Sequence, residues 1–172
     1  MKQLKKVKSS LSEIGQQLKK FKSLLDSKSS LGETELLDFF KRNQPLIPRM
    51  VLDTPQLVEY DYAASEYDLF GDFRCDFVVG SGKTRKPVYC FVEFEDAEPD
   101  SVFKKKSGRH ASEWAPKLEH GFSQLVDWFY QLEDMKQTDN YRNRFGEHPE
   151  FCGLLVIGRN EFLNEAERKR FD

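Results

Sequence analysis

The sequence predicts an α/β fold in which helices cover a mixed sheet, and three parts of the chain lead to this class. Residues 71–80 and 88–95 (GDFRCDFVVG and VYCFVEFE) are rich in β-branched and aromatic residues and predict two strands. Residues 112–133 place apolar side chains at helical spacing, and residues 151–158 (FCGLLVIG) are a continuous apolar run, as in buried strands. Strand, strand, helix and strand in this order are typical of a sheet packed between helices.

The 172 residues are enough for one domain with a short appendage, and the first 30 are predicted to be that appendage. Residues 1–30 are expected to form a basic helix and linker, ahead of a body at 31–172. Residues 1–28 hold eight lysines against two acidic side chains, whereas the rest of the chain is acidic. Apolar residues recur at alternating spacings of three and four, the pattern of a heptad seam, in Leu4, Val7, Leu11, Ile14, Leu18, Phe21 and Leu25. This pattern fits an amphipathic helix folded onto the body, and it fits equally a coiled-coil helix that joins copies of the chain.

The body is predicted to begin with a short helix from Glu33 to about Lys41. Residues 49–62 are expected to be extended, and residues 81–87 to connect the two strands. The apolar seam of the long helix at 112–133 consists of Leu118, Phe122, Leu125, Phe129 and Leu132. A polar loop at 134–149 then leads to the apolar strand, and a last helix is predicted to begin within 160–171.

Composition excludes several classes of protein. No run reaches the 18 or so apolar residues of a membrane span, and the N-terminus lacks the apolar stretch of a secretion signal, so we expect a cytoplasmic protein. Cys75, Cys90 and Cys152 are an odd number without paired spacing, which favours buried thiols over a disulfide or a zinc site. The GSGKT at 80–84 is not a phosphate-binding loop, because residue 77 is Phe and Pro87 follows where a helix should continue.

Three carboxylates are expected to meet on one side of the two central strands. Apolar side chains at 75, 77 and 79 should share one face, with Asp76 on the other, and Glu93 and Glu95 should point away from the apolar residues at 90, 92 and 94. Neighbouring carboxylates repel unless one is protonated or a cation neutralises them, and open oxygen-rich sites suit Mg²⁺ or Mn²⁺. Asp76, Glu93 and Glu95 are therefore candidate metal ligands. The alternative is an exposed sheet edge, where the acids pair with Lys or Arg.

Two more polar residues are candidates for the same site. At 100° per residue, Glu33 falls between Phe40 and Leu37 and is predicted to point towards the protein, where a carboxylate needs a partner. Gln124 lies off the apolar seam of the long helix, with Trp128 on its flank one turn later. A glutamine facing the carboxylates could hold a metal-bound water or a phosphate, but it could equally be a surface residue.

Basic residues in two loops are candidate contacts to a nucleic-acid backbone. The loop at 81–87 carries Lys83, and the segment FKKKSGR carries Lys104, Lys105, Lys106 and Arg109. Such contacts supply affinity that depends on salt and not on base sequence. A solvated loop is the alternative for both.

Taken together, these segments resemble the Shedu anti-phage defence family, a branch of the PD-(D/E)xK nucleases. The likeness lies in the order and spacing of ExELLxFF, GDFRCDFVVG, YCFVEFEDAEPDSVF, LEHGFSQLVDWFY and CGLLVIGR, over about residues 33–170. It implies a restriction-endonuclease-like fold, Mg²⁺- or Mn²⁺-dependent cleavage or nicking of DNA, and homo-oligomers, for which residues 4–25 are the candidate segment. The family pattern continues beyond the last helix, so the resemblance also suggests a shortened member or a fragment.

Position by position, Asp76 resembles the family's metal-binding aspartate and Glu93 the acidic residue of its D/E-x-K element. Glu95 stands where that element has lysine, and it could bind a second cation or help to activate water. Gln124 with Trp128 resembles a Gln-x-x-x-Tyr feature, and Glu33 an acidic residue of the first helix. The expected function is a DNA endonuclease or nickase. The alternative is a catalytically inactive module for DNA binding, sensing or assembly.

Overall fold

The computed structural model describes residues 4–8, 10–51, 62–81, 86–105, 107–108 and 111–171. The helices are α1 (Leu11–Ser27), α2 (Glu33–Arg42), α3 (Ile47–Met50), α4 (Pro116–Met135), α5 (Asp139–Phe145) and α6 (Glu165–Arg168). The strands are β1 (Lys5–Lys6), β2 (Tyr62–Leu69), β3 (Phe73–Gly80), β4 (Val88–Phe94), β5 (Phe103–Lys104), β6 (Glu113–Trp114) and β7 (Glu150–Val156). Short 3₁₀ turns lie at Gln44–Leu46 and Asn160–Phe162.

A five-stranded mixed sheet of order β1-β2-β3-β4-β7 forms the centre of the fold. The first three pairings are antiparallel, and β7 pairs in parallel with β4. A parallel neighbour requires a crossover, and α4 lies in that connection. The predicted α/β class is confirmed, and a mixed sheet with flanking helices is consistent with the restriction-endonuclease-like fold. None of the helices in the described ranges is long and apolar enough to span a bilayer.

Two apolar layers hold the helices to the sheet. On one face, Phe40 of α2 packs against Phe94 of β4 with ring centroids 4.9 Å apart, in a cluster that also includes Ile14 of α1. On the other face, Trp128 of α4 packs against Phe91 of β4 at 6.4 Å. Side chains alternate along β4, so this single strand contributes to both layers.

The N-terminal helix is shorter than the heptad seam, and it packs on the body. Leu4 and Val7 precede α1, because residues 5–6 pair with β2 and Ser10 caps the helix. Ile14 is buried, and the Phe21 ring lies 5.2 Å from the ring of Phe39. This is the packing of an amphipathic helix folded onto the body. The proposed joining of copies through residues 4–25 stays a prediction.

Helix α4 presents a different face to the sheet from the predicted one. Gly121, Leu125, Trp128 and Leu132 are its buried residues, so Trp128 is a core residue and does not lie on the flank. Phe122 and Phe129 of the predicted seam are 63% and 37% exposed. The reason is close packing at Gly121, where an added Cβ would lie 2.6 Å from Leu155 Cδ1 and 3.1 Å from Glu95 Cγ. The helix also begins at Pro116, because residues 113–114 form β6.

Other boundaries differ for local reasons. The run at 151–158 is partly exposed throughout, because β7 has a neighbouring strand only on its β4 side in the described sheet. Residues 49–50 belong to α3, and residues 52–61 of the predicted extended segment lie outside the described residues. The predicted loop at 134–149 contains α5, which buries Tyr141 and Phe145. The last predicted helix consists of a 3₁₀ turn and the four-residue α6.

Candidate metal-binding and catalytic site

Asp76 lies where strands β3 and β4 separate. The ladder between these strands ends at the pair Phe77 and Val92. Beyond that pair, the backbone N–H of Phe94 donates to Asp76 Oδ2 over 2.8 Å. The aspartate side chain thus replaces a strand partner at the point where the sheet opens, and its carboxylate is held at the C-terminal end of β4.

The strand carrying Asp76 turns over at this position, which corrects the predicted face. Phe77 and Val79 pack in the cluster with α1 and α2, but Cys75 packs in the cluster with α4. The prediction that positions 75, 77 and 79 share one face is therefore wrong for Cys75. The neighbouring strand β2 has a left-handed residue, Glu66 with φ 48°, between its pairs with Cys75 and Phe77, which marks a local kink in the ribbon.

Asp76 and Glu93 form a coupled acid pair. Each carboxyl group affects the pKa of the other, so the two lie close together on the same side of the sheet. Burial is the main cause that raises the pKa of Asp76 to about 6, opposed by the hydrogen bond from the Phe94 N–H. Burial, followed by the negative charge of Asp76 and Glu95, raises the pKa of Glu93 to about 8. At neutral pH the pair retains a proton, which is one of the two outcomes expected for crowded carboxylates.

Glu95 lies just beyond the pair, beneath the N-terminal part of α4. Glu95 is only 5% exposed. Burial, followed by the negative charge of Glu33, raises the pKa of its carboxyl group. Charge interactions with His120 and Lys117 on α4 oppose that rise, so both residues lie near Glu95. Lys117 also forms an ion pair with the buried Asp96.

Sequence reasoning missed these two α4 residues as part of the site. Neither Lys117 nor His120 was among the predicted site residues. Both side chains are exposed, but each interacts electrostatically with Glu95. Helical spacing of three residues was the available signal, since it places 117 and 120 on the side of α4 that also carries Gln124.

Glu33 is exposed to solvent, so the prediction that its side chain is buried against the protein is wrong. It is the first residue of α2, where no preceding helical turn shields it. Its charge nevertheless raises the pKa of Asp76, Glu93 and Glu95, which places it on the site side of the helix. Glu35, two residues later on α2, forms a 2.6 Å ion pair with Lys28.

Two buried oxygen atoms without hydrogen-bond partners are available as metal ligands. Glu93 Oε2 and Gln124 Oε1 are both buried, and neither has a hydrogen-bond partner among the described residues. Such groups are destabilising unless something satisfies them. Within the described ranges, no three or more His, Cys, Asp or Glu side chains form a preassembled metal cage. The donor set is nevertheless the oxygen-rich one that Mg²⁺ and Mn²⁺ prefer, with a protonated acid pair where the cation would bind.

The predicted DNA contacts are described only in part. Lys104 and Lys105 are exposed beside the N-terminus of α4, in a cleft that also includes Arg170. Arg170 was missed by the sequence analysis, and its guanidinium lies 4.1 Å from the centroid of the Trp114 ring. Lys83, Lys106 and Arg109 lie outside the described residues.

Comparison with known proteins places the chain in a family. The family model described as "Shedu protein SduA, C-terminal" matches residues 8–172, which is nearly the whole chain. The chain belongs to the Shedu family. This membership agrees with the resemblance noted from the motifs, and it supports a role of this Shedu-family chain in bacterial defence against phage. No curated protein matches the chain.

Proposed function

We propose that this Shedu-family chain is a Mg²⁺- or Mn²⁺-dependent endonuclease or nickase that hydrolyses phosphodiester bonds of DNA in anti-phage defence. The observation that carries the proposal is the acid pair of half-buried Asp76 and buried Glu93, with unpartnered oxygens on Glu93 and Gln124 within the described residues. A structural acid pair would be expected to have its oxygens satisfied by protein donors. Here they are available to a cation and to a water molecule.

In this proposal, Asp76 and Glu93 would hold the cation and would release their proton to solvent when it binds. A divalent cation held there would supply a polarised water and charge neutralisation at the phosphoryl oxygen. Glu95 can accept the proton of that water at a carboxylate oxygen, because its raised pKa suits a general base. Gln124 Oε1 can accept a hydrogen bond from the same water and orient it.

Lys117 supports the proposal because it places a cation close to the position where the D/E-x-K element has its lysine. Glu95 occupies that position and cannot provide positive charge or donate while ionised. The Lys117 ammonium comes from α4 instead, and its charge lowers the pKa of Glu95. The exposed Lys104 and Lys105 near the same end of α4 would bind the DNA backbone.

Plasmid nicking tests the proposal. Supercoiled plasmid is incubated with the protein and Mn²⁺, Mg²⁺ or a chelator, and Asp76→Asn and Glu93→Gln are compared with Glu35→Gln. Glu35 is the matched control, because it is a glutamate on α2 that pairs with Lys28. We expect metal-dependent nicking that both site variants reduce at least about 100-fold and that the control retains.

Two other results would change the assignment. Nicking by Asp76→Asn and Glu93→Gln at the rate of the unsubstituted protein would show that these residues are not the metal ligands. DNA binding without any nicking, and with no heat on titration with Mn²⁺, would favour the catalytically inactive module that the glutamate at position 95 suggests.

A further inference from the structure

Two of the three cysteines lie directly opposite each other on neighbouring strands. Cys90 of β4 and Cys152 of β7 form one register pair of the parallel ladder. Both belong to the apolar cluster with α1 and α2, so their side chains are on the same face of the sheet. Cys75 belongs to the cluster on the opposite face and points away from them. The fold therefore brings together two nucleophilic side chains that the proposed nuclease does not use.

The sulfur atom of Cys152 extends towards the strand that carries Cys90. Its thiol donates a weak hydrogen bond over 3.7 Å to the backbone oxygen of Tyr89, the residue before Cys90. The thiol of Cys90 in turn forms a hydrogen bond to the Cys152 sulfur, which lowers the pKa of Cys152, although burial opposes this effect. Of the two thiols, Cys152 is therefore the one that more readily becomes a thiolate.

The two cysteines also differ in their access to solvent. Cys90 is fully buried on the central strand β4. Cys152 is partly exposed, because β7 has a neighbouring strand only on its β4 side in the described sheet. Thiols that sense oxidants are typically accessible and have a second cysteine beside them that completes a disulfide. Cys152 fits the first role and Cys90 the second.

We propose that Cys90 and Cys152 form a reversible disulfide when a hydroperoxide, such as hydrogen peroxide, oxidises the chain. The Cys152 thiolate attacks one peroxide oxygen, the O–O bond breaks, and hydroxide leaves and takes up the proton that the thiol released, so that Cys152 becomes a sulfenic acid. The Cys90 sulfur then attacks the Cys152 sulfur, the S–O bond breaks, and the hydroxyl leaves with the Cys90 proton as water. The dithiol loses two electrons and two protons, and the peroxide is reduced to two water molecules.

The strand geometry permits this bond and makes it easy to reduce. Neighbouring strands are about 4.8 Å apart, within the Cα separation of about 4.4–6.8 Å that disulfides adopt. The Cβ atoms of a bridge lie about 3.8 Å apart, which is closer than the strand spacing, so the bond would be strained. Strained disulfides are more oxidising and belong to the labile class. The dithiol is therefore the resting state in a reducing cell.

The bond would close a loop that contains most of the candidate site. Residues 91–151 lie between the two cysteines and carry Glu93, Glu95 and Gln124. The same segment is the crossover from β4 through α4 to β7. Peroxide would thus modify the two ends of the segment that positions these side chains.

Counting thiols after peroxide treatment provides the first test. The reduced protein is treated with hydrogen peroxide, denatured and alkylated with N-ethylmaleimide before its mass is measured. We expect one alkyl group in place of three, and a cross-linked peptide that joins Cys90 to Cys152. Cys75→Ser is the matched control and should form the same bond. Cys75 itself should react at least about 10-fold more slowly than Cys152, because burial raises the pKa of its thiol.

Trapping the intermediate tests the order of attack. In Cys90→Ser the Cys152 sulfenic acid cannot be resolved, so it should accumulate and be labelled by dimedone. In Cys152→Ser the buried Cys90 should remain unlabelled. Reduced glutathione should restore both thiols of the oxidised unsubstituted protein, as expected for a strained disulfide.

Three outcomes would overturn the proposal. Three alkylated cysteines after peroxide treatment would exclude the disulfide, and a bond that includes Cys75 would exclude this pair. Equal dimedone labelling of Cys90→Ser and Cys152→Ser would contradict the assigned roles. A bond that resists reduced glutathione would be a permanent crosslink and not a reversible one. None of these readouts depends on nuclease activity, so they are independent of the proposed function.

Discussion

The shared proton of Asp76 and Glu93 makes a single pair of residues responsible for a pH dependence of the whole fold. Both groups hold their protons more tightly in the folded chain than in the unfolded one. The stabilisation from such groups is complete below their ordinary pKa and is lost as pH rises through their folded pKa.

We predict that the metal-free protein loses stability as pH rises from about 4.5 to about 8, the interval between the ordinary and folded pKa of Glu93. Glu93→Gln should flatten this dependence, because an amide does not ionise, and should raise Tm at pH 8. The measurement is thermal unfolding at several pH values in the presence of a chelator. Glu147→Gln, at an exposed position, should behave as the unsubstituted protein. A Tm that is constant over this interval would contradict the prediction.

Lys117 is predicted to influence activity through the charge that it places beside Glu95. Lys117→Met should reduce nicking about 10- to 100-fold and shift the pH profile to higher values, because the Glu95 pKa rises when the cation is removed. Lys117→Arg should retain most of the activity, since it restores the charge. An unchanged pH profile for Lys117→Met, with Tm measured alongside, would assign Lys117 only to its ion pair with Asp96.

At the scale of elements, the close packing of α4 determines how near its own residues lie to Glu95. The helix rests on β7 and Glu95 at Gly121, which has no space for a side chain. The sequence pattern could locate this helix but could not identify its buried face. Phe122 and Phe129 form as regular a seam as Leu125 and Leu132, and only the close approach at Gly121 rotates them towards solvent.

Gly121→Ala should destabilise the protein by about 1–3 kcal/mol, because the new Cβ would overlap Leu155 and force α4 outwards. It should also weaken Mn²⁺ binding by displacing Glu95. Gly15→Ala on α1 is the matched control, since no atom lies within 4 Å of its added Cβ. The control should be neutral or stabilising by about 0.5–1 kcal/mol, as expected for glycine replaced within a helix. Denaturant unfolding compares the two, and equal effects would be inconsistent with close packing at α4.

At the scale of the whole molecule, sequence patterns were most informative where neighbours in space are also neighbours in the chain. The hairpin of β3 and β4, the helix α2 and the proximity of Asp76 to Glu93 follow from strand periodicity and a short connection. Lys117 and His120 could not be placed beside Glu95 in this way, because the crossover through α4 decides that contact. The sequence could not predict that β7 is an edge strand, since a continuous apolar run is equally typical of a buried central strand.

Binding of a divalent cation should be detectable as stabilisation of the whole fold. Mn²⁺ at 100 times its dissociation constant should add about 2.7 kcal/mol to the free energy of unfolding. The apparent affinity should increase between pH 6 and pH 8, because the cation must displace the proton of the acid pair. Thermal shift with Mn²⁺ measures both effects. Asp76→Asn and Glu93→Gln should abolish them, and a shift that persists in both variants would locate the cation elsewhere.

The hydrogen bond from the Phe94 N–H to Asp76 has an evolutionary consequence. Loss of the aspartate by drift would leave the buried Phe94 N–H without an acceptor, at a cost of about 1–3 kcal/mol, so alanine at this position would harm folding as well as the proposed chemistry. Asparagine keeps an acceptor oxygen while removing the negative charge. Descendants of this lineage that lose the proposed activity should therefore accumulate asparagine at position 76 before any apolar residue, and an alignment of such members would record that order.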